Sequence, residues 1–167
     1  AMRGFFTLDD LQQFRQWGSV TPGHPELDVA RGIENSSGPL GQGHAIAAGA
    51  AVAEKFLEAR LGSTMMQHKI YAYISDGAVE EEISQGVGRI AGNLGLNNLI
   101  MFYDSNDIQL STECGVVMTE NTEMKYKAWG WNVIKINGND VAQIREALTA
   151  AQQEQERPTL IIGKTVM

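Results

Sequence analysis

Tyr71-Ala-Tyr-Ile-Ser-Asp-Gly77 is followed, a helix's length further on, by Leu99-Ile-Met-Phe-Tyr-Asp-Ser-Asn-Asp-Ile108. Each stretch is an apolar, strand-forming run that ends in acidic and amide side chains. Between them Val79, Ile83, Val87, Ile90 and Leu94 recur at helical spacing. Strand, helix, strand predicts two parallel strands joined by a right-handed crossover. Asp76 and Asn106 then stand at the carboxyl ends of those strands, where open α/β sheets bind ligands. A carboxylate and an amide oxygen suit a hard cation such as Mg²⁺, which commonly accompanies a diphosphate. Gly77 opens the next helix, so N–H groups there would face a phosphate. If the chain turns after Asn106, the Ile108 carbonyl faces the same ion. The same residues also allow a purely local reading, in which Asp76 caps a helix and Asn106 makes a turn. Spacing alone does not separate the two.

The pattern extends in both directions. Thr7-Leu-Asp-Asp10 predicts a capped helix with Leu8, Leu11 and Phe14 on one face. Gly18 to Gly43 is rich in Gly, Pro and Ser and reads as a long loop, a kind of segment that usually carries function. His44 to Arg60 reads as a helix with Ile46, Ala50, Ala53 and Leu57 at helical spacing. Lys69–Ile74, Leu99–Tyr103, Asn132–Ile136 and Thr159–Gly163 read as strands. Glu120–Trp129 reads as a helix. Asn137-Gly138 makes a turn, and Asp140 caps a helix carrying Val141, Ile144, Leu148 and Ala151. Strands alternating with helices predict an α/β domain of three layers, a mostly parallel sheet flanked by helices. The chain opens on a helix with no strand before it and stops just after a strand. Residues 1–167 are therefore expected to be a single partial domain, cut at both ends from a larger protein.

Composition narrows the function. The 167 residues fit one core, and 43% hydrophobic with 20% charged residues is ordinary for a soluble chain. The net charge is −7 with no Lys/Arg stripe, which argues against nucleic acid as a partner. The single cysteine, Cys114, excludes an internal disulfide framework and fits a reducing, cytoplasmic setting. No signal peptide and no membrane-length apolar run is present, so no membrane is expected.

Other candidates are weaker taken singly. There is no P-loop lysine motif. Gly38-Pro-Leu-Gly-Gln-Gly43 precedes a helix but lacks the dinucleotide spacing. His24, in Thr21-Pro-Gly-His-Pro-Glu26, sits in a rigid frame that suits a ligand-facing ring; an exposed surface histidine is the bland alternative. Glu80-Glu-Glu82 favours a helix dipole. His44, His68 and Cys114 have no motif around them.

Taken together, several segments resemble one family. Asp76-Gly77 followed by Asn106 resembles the thiamine diphosphate motif, and four more segments look like transketolase. These are Thr21–Glu26, Ser37–Gly43, Ile100–Asn106 and Trp129-Gly-Trp-Asn-Val-Ile134. The resemblance implies the diphosphate-binding part of a transketolase, a thiamine diphosphate-binding fold. It implies that Asp76, Asn106 and the Ile108 carbonyl hold Mg²⁺ (or Ca²⁺) and that Gly77 contacts the diphosphate. Gly38, Pro39 and Leu40 would lie against the cofactor, His24 would touch the substrate's ketol end, and Glu81 would sit near a subunit interface. The implied reaction moves a two-carbon ketol unit from a ketose phosphate to an aldose phosphate, as in the pentose phosphate pathway. The implied partners are sugar phosphates, further domains and a second identical subunit. The 167 residues alone are expected to be inactive. The alternatives are another thiamine diphosphate enzyme, of the deoxyxylulose phosphate synthase or 2-oxoacid dehydrogenase type, or a non-catalytic subunit of a split transketolase. Two positions depart from the family pattern: Ser75 replaces the glycine before Asp76, and Gly86 stands where many members have a second interface glutamate.

Overall fold

The apolar runs form four strands in the computed structural model, which describes residues 1–166: β1 (Ile70–Ser75), β2 (Leu99–Ser105), β3 (Asn132–Asn137) and β4 (Thr159–Lys164). They pair in the order β1-β2-β4-β3, all parallel. The sheet belongs to the second of two compact units, which divide after Pro39.

Alternation along the strands makes two faces. Leu99, Met101 and Tyr103 of β2, with Leu160 and Ile162 of β4, look toward one core. Helix α2 (Gln42–Leu61) packs there through Ala47, Ala48 and Ala51. A second stretch, α3 (Asp76–Glu80) and α4 (Glu82–Asn93), lies on the same side. Ile100, Phe102 and Ile161 look the other way, onto Ala147, Leu148 and Ala151 of α7 (Val141–Gln153). The unit is thus a three-layer α/β domain. The two short helices between β2 and β3 are α5 (Cys114–Val117) and α6 (Thr122–Ala128). Tyr126 of α6 meets Trp131 edge-on at 5.1 Å, and the Trp131 indole donates to the Gly88 carbonyl at 2.8 Å. Asp140 caps α7, accepting from the Ala142 N–H at 2.8 Å.

Two expectations need correction. The helix after β1 is broken. Glu81 has an extended ψ of 137° and separates α3 from α4. The Ser84 hydroxyl and the Gln85 amide donate to the carbonyls of Ala78 and Val79 at 2.6 and 2.7 Å, which satisfies groups that a continuous helix would have used. The buried stripe of α4 is Ser84, Gly88 and Ala91, whereas Ile83, Ile90 and Leu94 are exposed. Likewise α2 buries alanines and leaves Ile46 and Leu57 exposed.

In the first unit, α1 (Leu8–Gln12) has a full capping box, with the Asp10 N–H on the Thr7 hydroxyl at 3.1 Å and the Thr7 N–H on the Asp10 carboxylate at 2.7 Å. The long segment after Gly18 is folded, not slack. Asp28 and Ile33 bridge, and Asp28 pairs with Arg31 around a short 3-10 turn at Val29–Arg31.

Candidate functional site

The register Ser75↔Asp104 puts the ends of β1 and β2 side by side. Asp76, the next residue of the first, and Asn106, just past the second, follow directly. They meet: Asp76 Oδ2 accepts the Asn106 N–H at 3.0 Å and the Asp107 N–H at 3.1 Å. Its other oxygen, Oδ1, accepts the Tyr103 hydroxyl at 2.5 Å. Asp76 is 2% exposed. A buried carboxylate costs free energy unless its oxygens are hydrogen-bonded, and these donors supply those bonds. Burial, and secondarily the bond to Asp76, push the Tyr103 phenol well above its ordinary range, so it acts as a neutral donor.

The loop beyond β2 is ordered by its own bonds. Asn106 Oδ1 accepts the Ile108 N–H at 3.0 Å, so the chain does turn after Asn106. Asp107 takes a left-handed φ of 65°, which its short side chain tolerates, and pairs with Lys164. Ile108 bridges to Glu113, and the Gln109 amide donates to Glu80 of α3 at 2.5 Å. At the base, Asp104 accepts from the Tyr73 hydroxyl at 3.0 Å and from Thr165. Burial pushes the Cys114 thiol up, and the negative Asp76 beside it adds to this.

Leu40 reaches the same place: its Cδ1 lies 3.4 Å from where a side chain on Gly77 would begin. Gly41, with φ 80°, opens α2 against the α3–α4 break. A Cβ there would stand 2.5 Å from Ile83 and 2.9 Å from the Ser84 hydroxyl. Glu81 is exposed at that break. In the first unit His24 and Gly38 are in contact. Gly38 has φ 148°, and a Cβ on it would lie 3.1 Å from the imidazole, so the position admits only glycine. Pro39 is exposed.

The structure therefore gathers Leu40, Asp76, Gly77, Asn106 and Ile108 in one unit, and His24 with Gly38 in the other. Ser75 is compatible with its place: its φ of −116° suits any residue. Gly86 faces open space. Sequence reasoning passed over Tyr103 and Gln109. The signal for Tyr103 was present in the alternation Leu99, Met101, Tyr103, which puts a hydroxyl on the buried face at the strand's end.

The donor set is chemically consistent. Oxygen ligands from Asp76 and Asn106, next to a helix that begins at Asp76, suit a hard cation and an anionic group. Among the described residues no three His, Cys, Asp or Glu side chains gather into a metal cage. A cation here would take its remaining ligands from phosphate, backbone and water.

Comparison with known proteins adds an independent line. A family model described as "Transketolase, thiamine diphosphate binding domain" matches residues 2–167. The transketolase of Geobacillus stearothermophilus is 44% identical over 165 residues, covering 96% of this chain and 25% of that protein. That of Staphylococcus aureus (strain MW2) is 43% identical over 168 residues, covering 98% and 25%. The crystal structure of transketolase from Campylobacter jejuni subsp. jejuni NCTC 11168 is similar with a TM-score of 0.89 at 44% identity, covering 95% of this chain and 25% of that one. Transketolase from Leishmania mexicana is similar with a TM-score of 0.89 at 40% identity, covering 95% and 24%. The chain spans about a quarter of the length of the curated relatives it matches.

Proposed function

The chain belongs to the family of transketolase thiamine diphosphate-binding domains, and from that premise we propose that it anchors the metal and diphosphate end of the cofactor. One observation carries the reading: Asp76 and Asn106, from the ends of adjacent parallel strands, are hydrogen-bonded to each other at 3.0 Å. Asp76, Asn106 and the Ile108 carbonyl would hold Mg²⁺ or Ca²⁺. Gly77 would meet the diphosphate, and Gly38, Pro39 and Leu40 would lie along the cofactor. His24 would face the sugar and Glu81 a neighbouring subunit.

When bound, the cofactor supplies an electron sink for transfer of a two-carbon ketol unit. The chain's residues supply placement. The Asp76 charge offsets part of the cation's charge, and the loop N–H groups keep that carboxylate from turning. Leu40 stands beside the bare backbone at Gly77, at van der Waals distance from where a side chain there would begin.

A protein built on this domain would transfer ketol units between sugar phosphates in the cytoplasm, as a homodimer. The exposed apolar stripes of α2 and α4 support the last point, because such surface usually marks an interface. No helix among the described residues is long and apolar enough to cross a membrane. The match to transketolases favours this activity over that of other thiamine diphosphate enzymes.

Calorimetric titration of thiamine diphosphate with Mg²⁺ into the chain tests the reading. Saturable, Mg²⁺-dependent binding is expected, with an affinity far short of nanomolar because few contacts offset the lost freedom of the ligand. It should vanish in Asp76→Asn. Equal binding with and without Mg²⁺, or by Asp76→Asn, overturns it.

A further inference from the structure

A metal-binding carboxylate works only in one orientation, and the bonds around Asp76 determine which. A carboxylate offers about four acceptor positions. The N–H groups of Asn106 and Asp107 occupy both of those on Oδ2. The Tyr103 hydroxyl occupies one on Oδ1. The Cys114 thiol beside the carboxylate is a weak donor that a cation would displace. Counting donors among the described residues, one strong position is left, on the oxygen that Tyr103 holds.

We propose that Tyr103 is a positioning residue for cation binding: its hydroxyl fixes Asp76 so that a divalent ion is taken by Oδ1 alone. The proposal rests on the reading of Asp76 as a cation ligand. Tyr103 suits the task because its ring is 4% exposed and packs in the core with Leu99 and Met101. A phenol has two side-chain torsions, so a ring packed this way holds its hydroxyl in one place. The core of β2 thereby sets the direction of the carboxylate above it. The two N–H bonds to Oδ2 remain if the hydroxyl is lost, so the ligand stays near its place but turns more freely. Loss of the hydroxyl should therefore weaken binding, whereas loss of the carboxylate charge should end it.

The test is an electron paramagnetic resonance titration of Mn²⁺ at fixed thiamine diphosphate, on the wild-type chain and three variants. Tyr103→Phe is expected to bind Mn²⁺ at least tenfold more weakly, the lower end of what outer-shell partners of a metal ligand contribute. Asp76→Asn is expected to show no site. Tyr126→Phe removes a hydroxyl from an equally buried ring of α6 and is expected to leave the affinity unchanged. Tyr103→Phe within twofold of wild type overturns the proposal and leaves the cofactor reading standing. Equal weakening by Tyr126→Phe overturns it as well, since the effect is then general. A wild-type chain that takes no Mn²⁺ with the cofactor overturns the reading and the proposal together. A second measurement does not depend on the variants folding. In wild-type chain carrying 3-fluorotyrosine, the ¹⁹F resonance of Tyr103 should move on adding Mg²⁺ and thiamine diphosphate while that of Tyr126 stays. A Tyr103 resonance that stays overturns the proposal.

Discussion

His44 shows what a single buried ring does to stability. It lies in the first turn of α2, 2% exposed, with no hydrogen-bond partner for Nδ1 among the described residues. Burial holds its pKa down at about 4, against an ordinary 6.5. The unfolded chain binds a proton below pH 6.5, and the folded chain only below about 4. Stability is therefore level above pH 6.5 and falls between there and pH 4, by about 3 kcal/mol over the interval. His44→Leu, which fills similar space without titrating, should flatten that slope and raise stability at pH 5. Urea melts across this range check it; an unchanged slope in the variant would refute the assignment to His44. Asp107 is the other residue whose chemistry matches an unusual demand. Its positive φ suits glycine, asparagine or aspartate, and its carboxylate adds the pairing with Lys164.

Within α4, glycines six residues apart should respond in opposite ways. Gly86 faces open space, so Gly86→Ala should gain about 0.5–1 kcal/mol from reduced unfolded-state freedom and better helix propensity. A Cβ on Gly92 would stand 1.8 Å from the Trp129 carbonyl, so Gly92→Ala must push α4 away from its neighbour. It should cost about 3 kcal/mol or more, or prevent folding. Thermal melts of the two variants should shift in opposite directions, and a shift of like sign would show that the packing of α4 is misread. These glycines also explain what the sequence concealed. The strands were legible to within about two residues at each end, because β-branched and aromatic runs bounded by turn residues have few other uses. The longer helices were legible as helices and the short α5 was not, and the inward faces of α2 and α4 were missed. Periodicity weighs Ile and Leu most, whereas α2 and α4 turn Ala, Gly and Ser inward so that backbones and tryptophans can approach. The Asp76 and Asn106 pair was legible because strand ends are predictable from strands. The break at Glu81 was not, since it depends on side-chain bonds from Ser84 and Gln85.

At the scale of the molecule, the same inversion leaves Ile46, Phe56 and Leu57 of α2, Ile83 and Ile90 of α4, and Leu94 at the C-cap of α4 exposed. Surface of that kind favours association in water. Sedimentation should show concentration-dependent self-association of the chain. The double variant Phe56→Lys and Ile90→Lys should shift it toward monomer; unchanged sedimentation would mean that another surface is responsible.

The strand order has a further consequence, for synthesis. β4 is the last described strand in the chain, yet it lies between β2 and β3. Until residues 159–164 leave the ribosome, β2 and β3 have no partner between them. The edge of β2 at Ile100 and Met101 must then wait, unpaired, for a strand made some sixty residues later. The nascent chain cannot close its sheet piecemeal. Closure of the sheet is held back until residues 159–164 have been made, and this is the interval in which a holding chaperone would matter most.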